Sequence, residues 1–488
     1  MIESINSMEG ANRERWVATK LSDICEKITK GSTPTSYGFN YQAQGIRFVK
    51  AENINQDGFV SSTTTFIDEK TNEFLKRSIL QEDDLLFSIA GTIGRVGLIR
   101  KADLPANTNQ ALAIIRPLSG VVDPKFLFYY LMSDLIQKAA SKLVVGVGRA
   151  NLSLANVGDF EVPLAPPGEQ KRIVAEIEKQ FSRLDEAVTG LKRAKANLKR
   201  YKAAVLKAAV EGKLTEQWRK EHPDVEPASK LLERILVERR KKWEATELAK
   251  IKAKGTESKR EEWKASYKEP EGPNTENLPT IPSCWTWTTL PQLGELNRGK
   301  SKHRPRNDPK LYGGPYPFIQ TGDIRQANGV ISKHTQTYSE EGLKQSRMWP
   351  KGTLCITIAA NIANTAILGF DACFPDSVVG FVPYTEHTDV RFIEYFFRTA
   401  QKDIEKFAPA TAQKNINLDI LAKVAIPLPP EKEQRAIVEE IERRLSVAEK
   451  IERSIEANKV RTDHFRQSTL KKAFSGRLVP QIKRQSPN

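Results

Sequence analysis

The stretch PLAPPGEQKRIVAEIEKQFSRLDEAV, which begins at Pro163, decides the fold because the chain repeats it. A second version, PLPPEKEQRAIVEEIERRLSVAEKI, begins at Pro427, and the later runs LKAAVEGKLTEQ and LKKAFSGRLVPQ also match. Pro163–Gln217 and Pro427–Gln481 share 18 identities in 55 positions, without a gap and at a constant offset of 264. Solenoid repeats run only to tens of residues. The longer period therefore indicates two domain-sized units, each ending in the same long helix.

Each repeat begins with a proline-rich joint, Pro163–Pro167 or Pro427–Pro430. Proline disfavours helix in the residue before it and fits the first helical turn, so the joint predicts where each helix starts. Gly212 and Gly476 stand where the helical pattern stops, as C-terminal breakers. The two helices are therefore expected to have the same length.

A seven-residue spacing of apolar side chains predicts a coiled-coil seam along these helices. The seam residues are Ile177, Phe181, Leu184, Val188, Leu191, Leu198 and Val205 in the first helix and Ile441, Leu445, Ala448, Ile455 and Phe465 in the second. Lys195 and Lys202 interrupt the first seam, and Thr462 and Thr469 stand in the second where the first has Leu198 and Val205. We expect the two helices to pair antiparallel within one chain, with the two globules at opposite ends. A coiled coil between two chains is the alternative.

The stretches before the helices predict two mixed α/β globules, so the fold class is α+β with an internal pseudo-twofold repeat. Strands are predicted at Ile46–Val49 and Leu85–Ile89, and a helix from Pro124. The second globule repeats this order more weakly, with Phe392 matching Phe126. The predicted domains are an N-terminal tail (1–14), a first globule (15–162), a first helix (163–217), a charged helical insertion and linker (218–277), a second globule (278–426), a second helix (427–482) and a tail (483–488).

The composition indicates a cytoplasmic protein that could bind a polyanion. The 488 residues are 39% hydrophobic and 28% charged, with a net charge of +16. There is no apolar run near 18 residues, and the polar N-terminus is not a signal peptide, so no membrane is expected. Four cysteines at unrelated positions favour reduced thiols over disulfides or zinc. The segment from Leu191 to Lys264 contains 22 Lys and Arg residues but only 12 Asp and Glu residues. Much of the net positive charge therefore lies in a helical segment, where a solvated helix surface explains it.

No catalytic or metal-binding constellation stands out. Gly91–Gly97 is glycine-rich, but no Walker lysine follows and the second globule lacks the glycines, so a tight β-turn is the better interpretation. Motifs of amino-methyltransferases, α/β-hydrolases and zinc proteases are not found. A large chain with two globules and no catalytic motif is expected to be a binding protein.

Twofold-related modules on a spacer suit double-stranded DNA, and direct readout favours Arg, Lys, Asn and Gln at base edges. Donor-rich candidates lie in the divergent, turn-rich stretches of both globules. They are Lys50, Asn53, Arg77, Arg95, Arg149 and Asn151 in the first globule and Gln320, Arg325, Lys344, Arg347, Gln413, Lys414 and Asn415 in the second. For any single residue, a solvated surface side chain remains the alternative.

The duplicated PLxP…EQxxIVxxIE signature, the ends LKAAVEGKL and LKKAFSGRL and the run LPTIPSCWTWTTL resemble the specificity subunit of type I restriction-modification systems. The resemblance spans residues 15–482. It implies two target recognition domains that each read half of a split DNA sequence, with two methyltransferase subunits and restriction subunits as partners. Those partners, not this chain, would carry S-adenosylmethionine, ATP and magnesium.

The same resemblance implies a methyltransferase-docking surface at the start of each long helix. It comprises Pro163, Leu164, Glu169, Gln170, Ile173, Val174 and Ile177, and in the second copy Pro427, Leu428, Glu433, Gln434, Ile437, Val438 and Ile441. Two other functions stay open from the residues alone. One is a modification enzyme with a cryptic active site, and the other is a coiled-coil scaffold that does not read DNA.

Overall fold

A computed structural model describes residues 16–55, 58, 65–143, 151–253, 261–303, 305–359, 362–406 and 416–480. The chain divides into two compact units. Unit 1 comprises Met1–Arg193 with Ser454–Asn488, and unit 2 comprises Ala194–Arg453. Each unit therefore combines one globule with part of both long helices, and the unit boundaries cut across the domains expected from the sequence.

Unit 1 is built on two small sheets and a two-stranded ribbon. Its strands are β1 (Val17–Lys20), β2 (Cys25–Lys30), β3 (Ile46–Val49), β4 (Phe66–Ile67), β5 (Leu85–Ser88), β6 (Val96–Leu98), β7 (Ala106–Thr108), β8 (Leu112–Pro117) and β9 (Glu161–Leu164). One sheet is antiparallel with the order β2-β8-β5-β6. The other has the order β4-β3-β7 with β3 and β7 parallel, and β1 pairs antiparallel with β9. Both predicted strands are thus confirmed.

The short helices of unit 1 pack on these sheets. They are α1 (Glu69–Phe74), α2 (Pro124–Leu131), α3 (Asp134–Leu143) and α4 (Leu154–Gly158), and the first long helix is α5 (Pro167–Val210). Helix α2 begins at the expected Pro124 because the Asp123 carboxylate accepts hydrogen bonds from the amides of Lys125 (2.9 Å) and Phe126 (3.1 Å). The Phe126 side chain is fully enclosed in the unit 1 core.

Unit 2 also has nine strands in its described part, but five of them form its main sheet and two form its second sheet. Its strands are β10 (Thr286–Thr288), β11 (Gly294–Arg298), β12 (Tyr312–Phe318), β13 (Val330–Ile331), β14 (Gln336–Tyr338), β15 (Leu354–Thr357), β16 (Thr365–Leu368), β17 (Val378–Pro383) and β18 (Ile426–Leu428). The main sheet has the order β11-β17-β15-β16-β13, in which only the β13–β16 pair is parallel. Strand β12 pairs with β14, and β10 pairs antiparallel with β18 as β1 does with β9.

The helices of unit 2 include the predicted charged insertion. They are α6 (Glu216–Glu221), α7 (Ala228–Ala253), α8 (Leu290–Leu293), α9 (Thr321–Gln326), α10 (Glu340–Lys344), α11 (Val390–Lys406) and α12 (Leu418–Ala422), and the second long helix is α13 (Glu431–Phe474). The insertion helix α7 is only partly exposed. Ala228, Leu231 and Ile235 are buried in the same core cluster as Leu290 and Leu293. The first two turns of this charged insertion therefore pack into the core of unit 2.

The long helices α5 and α13 are each 44 residues, as the repeat requires. Both end just before a left-handed glycine, Gly212 with φ 72° and Gly476 with φ 70°. A side chain disfavours this backbone conformation, so glycine terminates the helix at low cost. The role assigned to both glycines from the sequence is confirmed.

Within unit 1 the two helices run antiparallel. Gln180 accepts a hydrogen bond from the Thr469 hydroxyl at 3.0 Å, and further along α5 Asp185 pairs with Arg466. Residue numbers therefore rise on α5 as they fall on α13. The ring of Phe474 packs edge-on against Phe126, with centroids 5.3 Å apart, which joins the end of α13 to the globule core.

Within unit 2 the pairing is also antiparallel. Lys202 Nζ lies 2.6 Å from the Glu452 carboxylate. Further along α5, Val205 and Ala209 share a buried cluster with Ile441 and Ile437. The coiled coil therefore forms within a single chain, as expected.

The predicted seam is wrong at one position of α13. Phe465 is 54% exposed, whereas Thr462 and Thr469 are each 7% exposed. Counting in sevens from Ile441 leads through Ala448 and Ile455 to these two threonines, so the heptad position and not the larger apolar side chain decides burial. Each buried threonine hydroxyl has a partner: the Asn458 carbonyl for Thr462, at 2.9 Å, and Gln180 for Thr469.

Candidate nucleic-acid interface

A turn after β3 in unit 1 carries the predicted DNA-reading residues Lys50 and Asn53, and the matching turn after β12 in unit 2 carries Gln320. In unit 1 the Asn53 side chain accepts a hydrogen bond from the Lys50 amide at 2.8 Å. In unit 2 the Asp323 carboxylate accepts one from the Gln320 amide at 2.8 Å. The same hydrogen bond, from a backbone amide to a side-chain oxygen three residues later, therefore forms in both units. The side chains differ in charge, because unit 1 has Lys50 and Asn53 where unit 2 has Gln320 and Asp323.

The turn between β5 and β6 lies beside this first turn in unit 1. Arg95 Nη1 donates to the Ala51 carbonyl at 3.0 Å, and the Ser88 hydroxyl accepts from the Arg95 amide at 2.7 Å. Gly94 has φ 90°, and a Cβ there would lie 2.3 Å from Gln137 Oε1. The segment is thus a β-hairpin turn, which confirms the interpretation against a phosphate loop.

The structure therefore brings together four of the candidates in unit 1. Lys50 and Asn53 share one turn, Arg95 reaches that turn, and Asn151 bridges to Ala90 at the end of β5. Arg77 is exposed and lies apart from this group in the sequence. Its backbone carbonyl accepts a hydrogen bond from the Lys27 ammonium at 2.9 Å. Contact of any of these side chains with DNA stays a prediction.

The candidates of unit 2 are more dispersed. Gln320 Nε2 donates to Gln336 Oε1 at 2.6 Å, and Arg325 is exposed on α9. Lys344 forms an exposed ion pair with Glu341 at 2.8 Å, a type of pair that solvent screens and that stabilises the fold little. These three residues remain candidates.

Arg347 is held by other side chains of unit 2. Its guanidinium binds both oxygens of Glu295, at 2.6 and 3.0 Å, and lies 4.0 Å from the Trp349 ring centroid. The neighbouring arginine lowers the pKa of the Glu295 carboxyl through a hydrogen bond. A bidentate, stacked arginine has a structural role, and contact of Arg347 with bases stays a prediction.

Four candidates, Arg149, Gln413, Lys414 and Asn415, lie outside the described residues.

The docking surface implied by the resemblance is largely internal. Gln170 is fully buried: its Oε1 accepts from the Asp123 amide at 2.7 Å and its Nε2 donates to the Ala165 carbonyl at 2.7 Å. Gln434 forms the same two hydrogen bonds in unit 2. Its Oε1 accepts from the Asp389 amide at 2.8 Å, and its Nε2 donates to the Pro429 carbonyl at 3.0 Å. The repeated glutamine therefore anchors each long helix to its own globule.

Burial corrects the docking prediction for most of that set. The buried members are Gln170, Ile173, Val174, Ile177, Pro427, Leu428, Glu433, Gln434, Ile437, Val438 and Ile441. They pack into the cores of their own units and so cannot present a surface to another subunit. Pro163, Leu164 and Glu169 are partly exposed and remain predicted docking residues.

Glu433 shows what the signature does in unit 2. Its buried carboxylate accepts hydrogen bonds from Thr215 (2.7 Å), Trp285 Nε1 (2.8 Å) and Arg219 Nη1 (2.5 Å). The sequence did not reveal this network, because its members are distant along the chain. The repeated order of these residue types, Trp16 before Glu169 and Trp285 before Glu433, is the signal that could have suggested it.

Among the described residues, no cluster of His, Cys, Asp and Glu side chains could hold a metal ion. In the same part of the chain, no helix is long and apolar enough to cross a membrane. All four cysteines are unpaired. Burial raises the pKa of the Cys25 thiol to about 12, which disfavours the reactive thiolate.

A family model described as the type I restriction modification DNA specificity domain matches residues 13–197 and 282–457, one region for each repeat. The chain belongs to the type I restriction-modification DNA specificity family. This membership supports DNA recognition over a coiled-coil scaffold that does not read DNA.

Relatives in the specificity family match at modest identity. The chain is 30% identical over 234 residues to the type I restriction enzyme EcoBI specificity subunit of Escherichia coli, covering 46% of this chain and 48% of that subunit. It is 23% identical over 493 residues to the EcoKI specificity subunit of Escherichia coli strain K12, covering 97% of this chain and 92% of that subunit. The second match spans both repeats.

Two solved structures share the specificity-family fold. One is a chain from a study of complex assembly and conformational transition in the type I R-M system, with 18% identity and a TM-score of 0.66 over 96% of this chain and 100% of that chain. The other is the HsdS subunit from Thermoanaerobacter tengcongensis, with 18% identity and a TM-score of 0.54 over 95% of this chain and 97% of that chain. These likenesses support the α+β fold with two repeats.

Proposed function

We propose that this chain is the DNA specificity subunit of a type I restriction-modification complex and binds a bipartite double-stranded target. Each unit reads one half-site. The chain is not itself catalytic, and it recruits two methyltransferase subunits and the restriction subunits. In this proposal S-adenosylmethionine, ATP and magnesium are bound by those partners, and the complex acts in the cytoplasm.

The observation that carries the proposal is that the two units repeat the same backbone hydrogen bonds but place different side chains at the same turn. The capping bonds of Asn53 and Asp323 have equal lengths, 2.8 Å, yet one side chain is a neutral amide and the other a carboxylate. At the adjacent hairpin, Arg95 in unit 1 is matched by Asn364 in unit 2, each donating its amide to a strand hydroxyl, Ser88 or Thr357. Donor and acceptor patterns select bases, so two unlike faces favour two unlike half-sites.

The frame also favours a subunit that positions other proteins. Gln170 and Gln434 attach each long helix to its own globule through the same hydrogen bond. The chain therefore offers two similar surfaces on which other subunits could bind. A symmetric frame suits two copies of one partner, which is the reason for proposing two methyltransferase subunits.

Binding of the full chain to DNA tests the proposal at rising salt. The probe is a duplex whose target is found by mapping methylated positions in the host genome, and the control is a scrambled duplex. Electrostatic binding to any sequence falls steeply with salt, so the affinity ratio isolates sequence reading. We expect preference for the target at every salt concentration and methyl transfer only after methyltransferase is added. Equal affinity for both duplexes would refute DNA reading, and methyl transfer by the chain alone would refute a non-catalytic role.

A further inference from the structure

Unit 1 carries an exposed group of aromatic side chains beside the β4-β3-β7 sheet. This aromatic strip consists of Tyr37, Phe39, Tyr41 and Phe74. The Phe74 ring centroid lies 5.3 Å from that of Tyr37 and 5.0 Å from that of Phe39. Tyr41 follows two residues after Phe39 and packs on the buried Phe48, with centroids 5.4 Å apart. The rings therefore support one another instead of projecting singly into solvent.

The strip concentrates exposed aromatic surface at one place. Five Phe and Tyr side chains are exposed in the described part of the chain, and three of them lie in the strip: Tyr37 at 55%, Tyr41 at 37% and Phe74 at 56%. Exposed apolar residues scattered singly need no explanation, but contiguous ones mark a binding surface. In the matching ribbon of unit 2, Phe318 and Tyr338 are buried and Tyr312 and Tyr316 are half-buried.

The strip continues into the turn that holds the DNA candidates. Lys50 Nζ lies 4.9 Å from the Tyr41 ring centroid, and the guanidinium of Arg95 binds the carbonyl of the next residue after Lys50. Cationic and aromatic groups thus share one continuous face. Two acidic side chains, Glu52 and Glu73, are exposed among the same turns, so the face is mixed and not purely basic.

We propose that the aromatic strip is part of the DNA-contact surface of unit 1 and makes apolar contacts with its half-site. This inference rests on the proposed function and adds a group of residues that the donor-based search passed over. Aromatic rings next to cations suit a DNA duplex, because thymine methyl groups and deoxyribose rings offer apolar surface while phosphates pair with the cations. The strip exists only in unit 1 of the described structure, so its effect belongs to one half-site.

The expected signature separates the strip from a phosphate contact. An apolar contact displaces no counterions, so its loss lowers affinity without changing the slope of log K against log salt. Loss of a phosphate-binding lysine lowers that slope by about 1. Loss of the contacts at one base pair of a duplex site lowers affinity by roughly tenfold.

The test uses the full chain with Tyr37→Ser and Phe74→Ser combined, both at exposed positions. Phe74→Leu keeps the apolar contact without the ring, and Phe465→Ser, on an equally exposed residue of α13, is the matched control. Thermal unfolding of each variant reports whether the fold is intact. Affinity is measured for the target duplex and for duplexes with either half scrambled.

We expect the double variant to bind the target about tenfold more weakly with an unchanged salt slope. Its defect should vanish when the half-site of unit 1 is scrambled and persist when the other half is scrambled. Phe74→Leu should bind between the wild type and the double variant, and Phe465→Ser should match the wild type.

Unchanged affinity of the double variant, while the wild type discriminates target from scrambled DNA, would overturn the inference and leave the proposed function intact. A wild type that does not discriminate would instead refute the proposed function. Unchanged DNA affinity together with loss of methyltransferase co-purification would assign the strip to a protein partner and also overturn the inference, as would an equal loss in Phe465→Ser.

Discussion

Arg219 and Glu433 form an ion pair in which the carboxylate is completely buried, with Nη1 and Oε1 2.5 Å apart. The pair joins the segment after α5 to the first turn of α13, and Trp285 adds the strand that enters the globule. Gly212 also takes part, because its carbonyl accepts from Arg219 Nη2 at 2.6 Å. Three distant parts of the chain, around Arg219, Trp285 and Glu433, therefore meet at one carboxylate.

Arg219→Ala should destabilise unit 2 strongly. The substitution leaves the Glu433 carboxylate buried without its cation, which costs about 3–5 kcal/mol. We expect a correspondingly lower free energy of unfolding in urea. Lys220→Ala is the matched control. Lys220 forms an exposed pair with Glu216 at 3.0 Å, and because solvent screens that pair, its loss should change stability far less than Arg219→Ala does. Equal effects of the two substitutions would contradict a stabilising network.

The corresponding site in unit 1 lacks this network among the described residues. Glu169 Oε1 and Trp16 Nε1 are buried atoms without a hydrogen-bond partner there. Val479 replaces Thr215, and the position that matches Arg219 is Lys483, which lies outside the described residues. The duplicated signature thus supports a polar network in one unit and not in the described part of the other.

Gln170→Ala and Gln434→Ala should destabilise their units by similar amounts. Each substitution removes the glutamine oxygen that accepts a hydrogen bond from a backbone N–H, that of Asp123 at 2.7 Å or that of Asp389 at 2.8 Å. These backbone groups are then left without a hydrogen-bond partner. An unsatisfied buried group costs about 1–3 kcal/mol. Urea unfolding of each variant measures the loss, and Gln217→Ala, at an exposed position, is the control. A loss in only one variant would argue that the two anchors are not equivalent.

Glu394 should make unit 2 less stable as pH rises. Burial raises the pKa of this carboxyl from 4.5 to about 7, although Arg398 and Thr365 oppose the shift. Between these values the folded state holds a proton that the unfolded state has released, so stability is greatest below pH 4.5 and falls until pH 7. A shift of this size corresponds to about 3 kcal/mol.

Glu394→Gln should remove that part of the pH dependence. Urea unfolding at pH 5 and pH 8 measures it: the wild type should lose more stability between the two pH values than the variant does. Glu341→Gln, at an exposed carboxyl with a lowered pKa, controls for the substitution itself. Identical losses in wild type and Glu394→Gln would show that the Glu394 carboxyl titrates normally.

Much of the frame could be predicted because its signals are local and duplicated. The proline joints and Gly212 predicted where the long helices begin and end, and Pro124 predicted the start of α2. These features depend on backbone preferences of single residues. The heptad spacing also predicted the pairing, since Ile441 and Ile455 are buried as expected.

The errors arose where tertiary contacts outweigh local pattern. Phe465 lies outside the seam because the heptad position belongs to Thr462, whose hydroxyl is satisfied by its own helix. The resemblance implied a docking role for Gln170, but its buried hydrogen bonds anchor the helix internally. The ion pair of Arg347 could not be predicted because its partner Glu295 lies 52 positions earlier in the sequence.

Exchange of residues 15–160 for those of another specificity-family member tests the central claim most directly. The methylated positions of a host carrying the exchanged chain and its methyltransferase partner are mapped by sequencing. Two independent units that each read a half-site predict that one half of the methylated sequence changes and the other half stays the same. A change in both halves, or in neither, would contradict the account.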